Sequence, residues 1–258
     1  MDLHLKDRRI LITGASSGIG LATATMLAEE GARLALCARD ESRLRQATEH
    51  LPTDVVTYSC DVTQRESVEN FVAHAVDRLG GLDGVVCNAG RSLMSTIDDT
   101  SDDQIREEFD LKIFGALNVV RAAKKALASS DAASIVVVNA ILSRQPESRL
   151  AVTAAARAGL LNLSRSLAHD LAADGIRVNS VLLGLVDTGQ WHRRYTDSDT
   201  ELDFDGWSAE IAADRGIGLG RFGTADELAF PITTLLSPRS SYITGASLDV
   251  GGGVHRYV

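Results

Sequence analysis

The first residues in this chain that could do chemistry are Thr13-Gly14-Ala15-Ser16-Ser17-Gly18-Ile19-Gly20, set directly after the apolar run Ile10-Leu11-Ile12. A short apolar strand, a glycine-rich turn and the helix-forming run Leu21 to Glu30 make the first half of a dinucleotide-binding βαβ unit. Each residue type has a physical reason. Gly14 accepts backbone angles that a side chain would forbid, while Gly18 and Gly20 let the chain approach a pyrophosphate and pack on the strand. The helix start then offers unpaired N–H groups and a partial positive charge to the phosphates. A lone glycine pattern also fits an ordinary turn, so the rest of the chain has to decide.

The elements that would position such a turn recur along the sequence. β-branched apolar runs at Arg9–Thr13, Arg33–Ala38, 55–60, 84–88, 134–139, 177–182 and Ser247–Val250 read as strands. Amphipathic stretches of helical length lie between them at 18–30, 41–51, 64–79, 102–128, 153–174 and 225–237. This alternation predicts an α/β fold, a doubly wound, mostly parallel sheet of Rossmann type with helices on both faces. The strands are apolar nearly throughout, as burial on both sides requires. No linker or repeat divides the chain, so one domain is expected. Residues 185–224 form one long irregular stretch with Trp191, Tyr195, Phe204 and Trp207 among charges, a candidate lid or substrate loop. In an open sheet of this kind ligands bind beyond the carboxyl ends of the strands.

Composition narrows the class of function. The 258 residues are 45% hydrophobic and 24% charged, with a net charge of −9, which argues against nucleic-acid and anionic-membrane partners. Cys37, Cys60 and Cys87 are scattered in or beside apolar runs, as buried thiols of a reducing compartment would be. No leader pattern or membrane-length apolar run is seen, so a soluble, cytoplasmic protein is expected. No His, Cys or acidic cluster has metal-ligand spacing, and no metal is expected.

Several motifs in order give the chain its resemblance to the short-chain dehydrogenase/reductase family. They are the glycine-rich turn, Asp61-Val62, Asn88-Ala89-Gly90, Arg177-Val178-Asn179-Ser180-Val181, Gly220-Arg221-Phe222-Gly223 and Ile243-Thr244-Gly245-Ala246. The resemblance implies cofactor contacts from Gly14, Ser16, Ser17, Gly18, Ile19 and Gly20 at the pyrophosphate, and from Asp61 and Val62 at the adenine. It also implies contacts from Asn88, Ala89 and Gly90 beside the cofactor, and from Gly184, Val186 and Thr188 near the nicotinamide carboxamide, with Leu183 in place of the family's proline. NAD-using members usually close the second strand with a carboxylate. Here Ala38 holds that place and Arg39 follows, a guanidinium able to fork onto a 2′-phosphate, so NADP(H) is the expected cofactor. Arg39 as a merely solvated charge at a helix start is the alternative.

The family's chemistry rests on an Asn, a Ser and a Tyr-x-x-x-Lys pair, and the same alignment finds none of them. Thr153 stands at the Tyr position, Arg157 at the Lys position, Ala140 at the Ser position and Lys112 at the Asn position. Tyr58, Tyr195, Tyr242 and Tyr257 all lie far from this helix, so no small shift restores a catalytic Tyr, although Ser143 could slide toward the Ser position. An aliphatic hydroxyl such as Thr153 is a poor general acid, and loss of a positioned acid typically costs roughly 10² to 10⁴ in rate. Arg157 could still hold the ribose hydroxyls. Lys112 is the candidate for new chemistry if it shares the pocket with Arg157, because burial and a neighbouring cation both lower its pKa. Otherwise it points to solvent or pairs with Asp110 or Glu108. His169 reads as a surface residue, and His192, in Trp191-His192-Arg193-Arg194, as either a loop residue or a substrate contact.

Three functions fit these residues. The first is an atypical NADP(H)-dependent oxidoreductase acting on a small organic molecule by hydride transfer without the Tyr acid. The others are a non-redox lyase, isomerase or cyclase on the same scaffold, and a catalytically silent NADP(H)-binding protein. The two Trp and Arg193 and Arg194 of the lid hint at an aromatic or anionic ligand. The resemblance also implies a homodimer or homotetramer built on helices 102–128 and 153–174, where Ala154, Ala155, Ala156, Ala158 and Gly159 permit close backbone approach.

Overall fold

The apolar runs assemble as their patterning requires. The computed structural model describes residues 2–254 and holds one seven-stranded, all-parallel sheet in the order β3-β2-β1-β4-β5-β6-β7. The strands are β1 (Arg9–Thr13), β2 (Arg33–Ala38), β3 (Val55–Ser59), β4 (Gly84–Cys87), β5 (Ser134–Ala140), β6 (Arg177–Leu183) and β7 (Ser247–Val250). The chain reverses its direction of travel across the sheet between β1 and β4. In-register pairing of Ile12 with Leu36 on one side and Val86 on the other brings the strand ends to a common edge. That edge is where the crevice forms.

Helices cover both faces. On one side α1 (Gly18–Glu29) and α9 (Ala225–Leu236) pack over a core that includes Leu27, Leu34, Leu36 and Ile232. On the other, α3 (Arg65–Leu79), α5 (Gly115–Leu127) and α6 (Ala151–Asp170) bury Phe71, Leu127 and Ile135. α2 (Glu41–Thr48) follows β2, with Asp40 accepting from the Arg43 N–H as its N-cap. Apart from the helix predicted over 102–128, observed boundaries lie within four residues of the predicted ones, the largest gap being at the end of α6.

Two expectations need correction. The helix predicted over 102–128 is not a single α-helix. α4 (Asp102–Phe109) runs into a π turn at Asp110–Phe114 before α5 begins. A π turn inserts one extra residue per turn and rotates the side chains that follow it, a change that hydrophobic periodicity cannot register. Lys112 lies within it and is buried.

The stretch 185–224 is also not wholly irregular. It contains α7 (Gly189–Thr196) and α8 (Phe204–Asp214), the latter capped by Asp203 accepting from the Gly206 N–H. Both helices are short, α7 is mostly polar, and their order comes from tertiary packing. Trp191 meets Phe222 edge-on at 4.8 Å and Trp207 at 6.1 Å, while His192 stacks on Phe204 at 4.0 Å. A small core of Ile141, Leu161, Leu182 and Ala212 anchors this segment to the sheet. Cys37, Cys60 and Cys87 are free and buried. Among the described residues no helix is long and apolar enough to cross a membrane.

Candidate active site

A cleft of about 950 Å³ opens along the carboxyl ends of the strands, a size suited to a cofactor with a small substrate. The glycine-rich turn forms one end. Gly14 has φ +68°, and a Cβ on Gly20 would stand 2.3 Å from the Gly14 carbonyl oxygen and 2.5 Å from Asn88 Nδ2. Only hydrogen fits there. Asn88 Nδ2 donates to the carbonyls of Thr13 and Gly14, each at 3.0 Å, and Thr13 Oγ1 accepts from the N–H groups of Asn88 and Ala89. Asn88-Ala89-Gly90 and the turn are thus one hydrogen-bonded unit.

Helix α1 starts at this unit with Ser17 as its N-cap, no side-chain cap bond and no acidic residue in its first turn. Its first N–H groups are therefore not satisfied by a carboxylate of the chain, which suits them to an anion. Beyond Ala38, Arg39 and Arg43 are exposed and line the same end of the cleft. Asp61 Oδ1 accepts from the Thr63 backbone and hydroxyl, which fixes its carboxylate at the wall. Asn118 holds the Val62 carbonyl at 3.0 Å.

Most of the anticipated cofactor residues share this cleft: Gly14, Ser16, Ser17, Gly18, Ile19, Arg39, Asp61, Val62, Asn88, Ala89, Gly90, Arg157, Gly184, Val186 and Thr188 all line it. Gly20 acts from behind the turn. The donor set, the α1 start and the two arginines beside Ala38 fit NADP(H). Arg43 and Asn118 escaped sequence reasoning. Arg43 lies in the first turn of α2, the helix that starts directly after Arg39 and the Asp40 N-cap, and its place at that helix start could have marked it.

The catalytic candidates are arranged otherwise than the sequence suggested. Ser143 does not line the cleft; its hydroxyl is buried without a partner, while Ala140 and Leu142 face the cavity. The short turn Ile141–Ser143 directs it inward. Thr153 does line the cleft, but its hydroxyl is committed. It donates to Glu108 Oε1 at 2.6 Å and accepts from the Leu93 N–H at 3.0 Å.

Lys112 does not line the cleft either. Its Nζ hydrogen-bonds the Arg91 carbonyl and lies 3.2 Å from Glu108 Oε1, and the two side chains are each only 2% exposed. The expectation that Lys112 faces substrate is corrected, because its pairing with Glu108 prevails. Burial pushes the Lys112 amine down to about 8, the nearby Arg157 charge adds to that push, and Glu108 opposes it. Glu108 joins Lys112 to Thr153, and no motif marked it. Its signal was only the i,i+4 spacing to Lys112.

Arg157 alone of these cations reaches the cleft wall. Its Nη1 donates to the Val138 carbonyl at 3.1 Å, and its Nε is buried with no hydrogen-bond partner. Burial pushes its guanidinium down to about 10, which leaves it charged at neutral pH.

Lys112, Glu108 and Thr153 together grip the loop after β4 at Arg91 and Leu93. Between those residues, Ser92 Oγ accepts from Gln190 Nε2 at 2.8 Å and from Arg194 Nη2 at 3.3 Å, both on α7. The buried cluster therefore holds the loop, and the loop holds α7. His192 turns from the cleft to Asp187, 2.8 Å away, and His169 is exposed. Tyr58 packs on Phe71, Tyr195 on Trp207, and Tyr242 is fully exposed; Tyr257 lies outside the described residues.

A crevice at the switch point of a parallel sheet, with a glycine-rich turn opening a helix, defines a Rossmann-type dinucleotide-binding protein. Residues 14–255 match the family model described as enoyl-(acyl carrier protein) reductase. A short-chain oxidoreductase of Pseudomonas aeruginosa PAO1, described as containing an atypical catalytic center, superposes in its apo form with TM-score 0.95 at 42% identity, over 98% of this chain and 99% of that one. Its NADPH-bound form gives TM-score 0.93 at 41% identity. L-sorbose reductase from Gluconobacter frateurii, complexed with NADPH and L-sorbose, gives TM-score 0.94 at 29% identity over the full length of both. Glucose 1-dehydrogenase of Gluconobacter oxydans is 31% identical over 266 aligned positions, 100% of this chain and 97% of that protein. The chain belongs to the short-chain dehydrogenase/reductase family.

The Lys112 shift has a definite sign in stability. Its amine holds a proton less tightly in the fold, at about 8, than the ordinary 10.5. Between those values the unfolded chain binds more protons, so this group favours folding increasingly as pH rises through the window. The difference in unfolding midpoint between the wild type and Lys112→Met should therefore move in favour of the wild type from pH 8 to pH 10. A difference independent of pH would show that the amine is not shifted.

Proposed function

We propose that this protein is an NADP(H)-dependent oxidoreductase that transfers hydride to or from a small organic substrate without a tyrosine acid. The observation that carries the reading is the largely buried Arg157 guanidinium, the one cation of the Lys112–Arg157 pair that lines the cleft. A desolvated, fixed positive charge beside the reacting centre stabilises a developing oxyanion electrostatically. An arginine does not give up its proton near neutrality, so protonation of the product oxygen falls to water. Thr153, saturated by Glu108 and Leu93, keeps to positioning.

NADP(H), when bound, supplies the hydride. Arg39 and Arg43 would hold its 2′-phosphate, and Gly14 to Ile19 with the α1 start its pyrophosphate. Asp61 and Val62 would hold the adenine, and Gly184, Val186 and Thr188 the carboxamide. The NADPH-bound forms of the Pseudomonas relative and of sorbose reductase support this choice.

A second reading, an NADP(H) binder without turnover, is favoured by one observation: Thr153 and Lys112 are both consumed by contacts within the chain. Loss of NADPH absorbance with a panel of carbonyl compounds separates the two. Assembly as a homodimer or homotetramer belongs to the same proposal. It is supported by exposed Phe114 at the π turn and by Ala155, Ala158 and Gly159 on the open face of α6, whereas Ala154 and Ala156 point into the core. Mass in solution reads it.

Arg39→Ala should weaken NADPH binding by about 1.5–3 kcal/mol, the scale of a charged hydrogen bond, and leave NADH affinity nearly unchanged. Equal affinity of the unmodified protein for the two nucleotides would contradict the choice of cofactor.

The double change Thr153→Tyr with Arg157→Lys should not raise carbonyl reduction. Thr153 is 1% exposed, and forcing a ring into that space should cost about 1–3 kcal/mol in stability. An increase in turnover would mean that the site is an ordinary one with its acid missing.

A further inference from the structure

We propose that the substrate carries an anionic group, and that Arg194 of helix α7 is the residue that recognises it, with Arg157 at the reacting end of the same molecule. The inference rests on the oxidoreductase reading for the reacting end and deepens it by naming the substrate class.

Arg39, Arg43 and Arg193 on the cleft wall are exposed to water, and the remaining arginines there divide into satisfied and unsatisfied ones. Arg91 is paired with Glu107 at 2.8 Å, and Arg215 is paired with Glu147. Arg157 and Arg194 have no ion pair among the described residues. Both are substantially desolvated, and burial lowers the pKa of each; for Arg194 it is the only influence resolved. Removing a guanidinium from water without a counter-charge is costly. A protein of net charge −9 has carboxylates to spare, yet none acts on Arg194, and Arg157 feels only Glu108, which is already paired with Lys112. The cost is met when an anion arrives.

Arg194 is also held ready. Its guanidinium lies over the Trp191 ring, 4.6 Å from the centroid, and one Nη donates to Ser92 Oγ. Stacking and a single side-chain bond fix the plane of the fork and leave other N–H groups for a ligand, the arrangement that suits a carboxylate or phosphate. Arg157 and Arg194 meet the same short loop, near Gly90 and at Ser92 respectively. A small molecule in the cleft between them would meet one guanidinium at each end. The class that fits is a short oxo acid or its hydroxy-acid counterpart, with a phosphorylated carbonyl compound sharing the same chemistry.

The test uses the NADPH-loaded protein and pairs of ligands that share a carbonyl and differ in whether they carry an anionic group. Acetoacetate is compared with methyl acetoacetate, and dihydroxyacetone phosphate with dihydroxyacetone, by quenching of tryptophan fluorescence and by calorimetry. The anion of at least one pair should bind about tenfold or more tightly than its neutral partner. Arg194→Gln should abolish that preference, Arg194→Lys should restore part of it, and NADPH affinity should stay within about twofold. The pair that discriminates identifies the anion as carboxylate or phosphate. Equal binding within both pairs, or a preference that survives Arg194→Gln, overturns the proposal. Because binding is read without turnover, anion selectivity without NADPH oxidation would count against the reductase reading and not against this one.

Discussion

The buried pairing of Lys112 with Glu108 is the constraint on which the substrate end of this molecule depends. Two charges that are each only 2% exposed are tolerated inside a protein only when geometry and further hydrogen bonds compensate for lost water. Here the Arg91 carbonyl and the Thr153 hydroxyl complete the set. Removing any one member would leave a charge or a polar group stranded in the interior, so the four contacts stand or fall together. Their consequence is a loop after β4 that is held from beneath at Arg91 and Leu93, and a helix α7 that rests on that loop through Ser92.

The sheet makes this possible. The reversal of strand order at β1 and β4 opens a crevice, and helices α4 and α6 bring Glu108 and Thr153 together beneath one edge of it. The π turn between α4 and α5 lets Lys112 join them. The two ends of the cleft then have different characters. At the nucleotide end the donors are backbone N–H groups and exposed arginines, open to water. At the other end the cations are buried or stacked, and α7 and α8 with their aromatic cluster flank them.

Much of this was legible in the sequence, for reasons that differ by element. The inner strands could be read because burial on both faces demands continuous apolar runs, and Arg9–Thr13 and Arg33–Ala38 match residue for residue; Ser247–Val250 also matches, although this edge strand is only partly buried. The glycine-rich turn could be read because only glycine satisfies the contact at residue 20. The π turn could not, since one added residue per turn leaves composition unchanged. Helices α7 and α8 were hidden because packing of Trp191 against Phe222 and Trp207, and not local propensity, orders them. Glu108 was legible only as one of two possible partners of Lys112, because spacing on a polar helix says nothing of burial or of the bond to Thr153. Ser143 misled because a hydroxyl near a strand end says nothing about which way the following short turn directs it.

Hydrogen exchange of the backbone amides in Glu108→Gln tests the central claim most directly, that the buried cluster orders the substrate side of the cleft. Loss of the carboxylate leaves the Lys112 charge uncompensated without changing side-chain shape. Protection should fall about tenfold or more at the Leu93 amide and across α7, while the amides of β1, β4 and β5 keep theirs. Unchanged exchange at Leu93 and in α7 would contradict the account, because it would mean that the loop and α7 are held by something other than the Glu108–Lys112–Thr153 cluster.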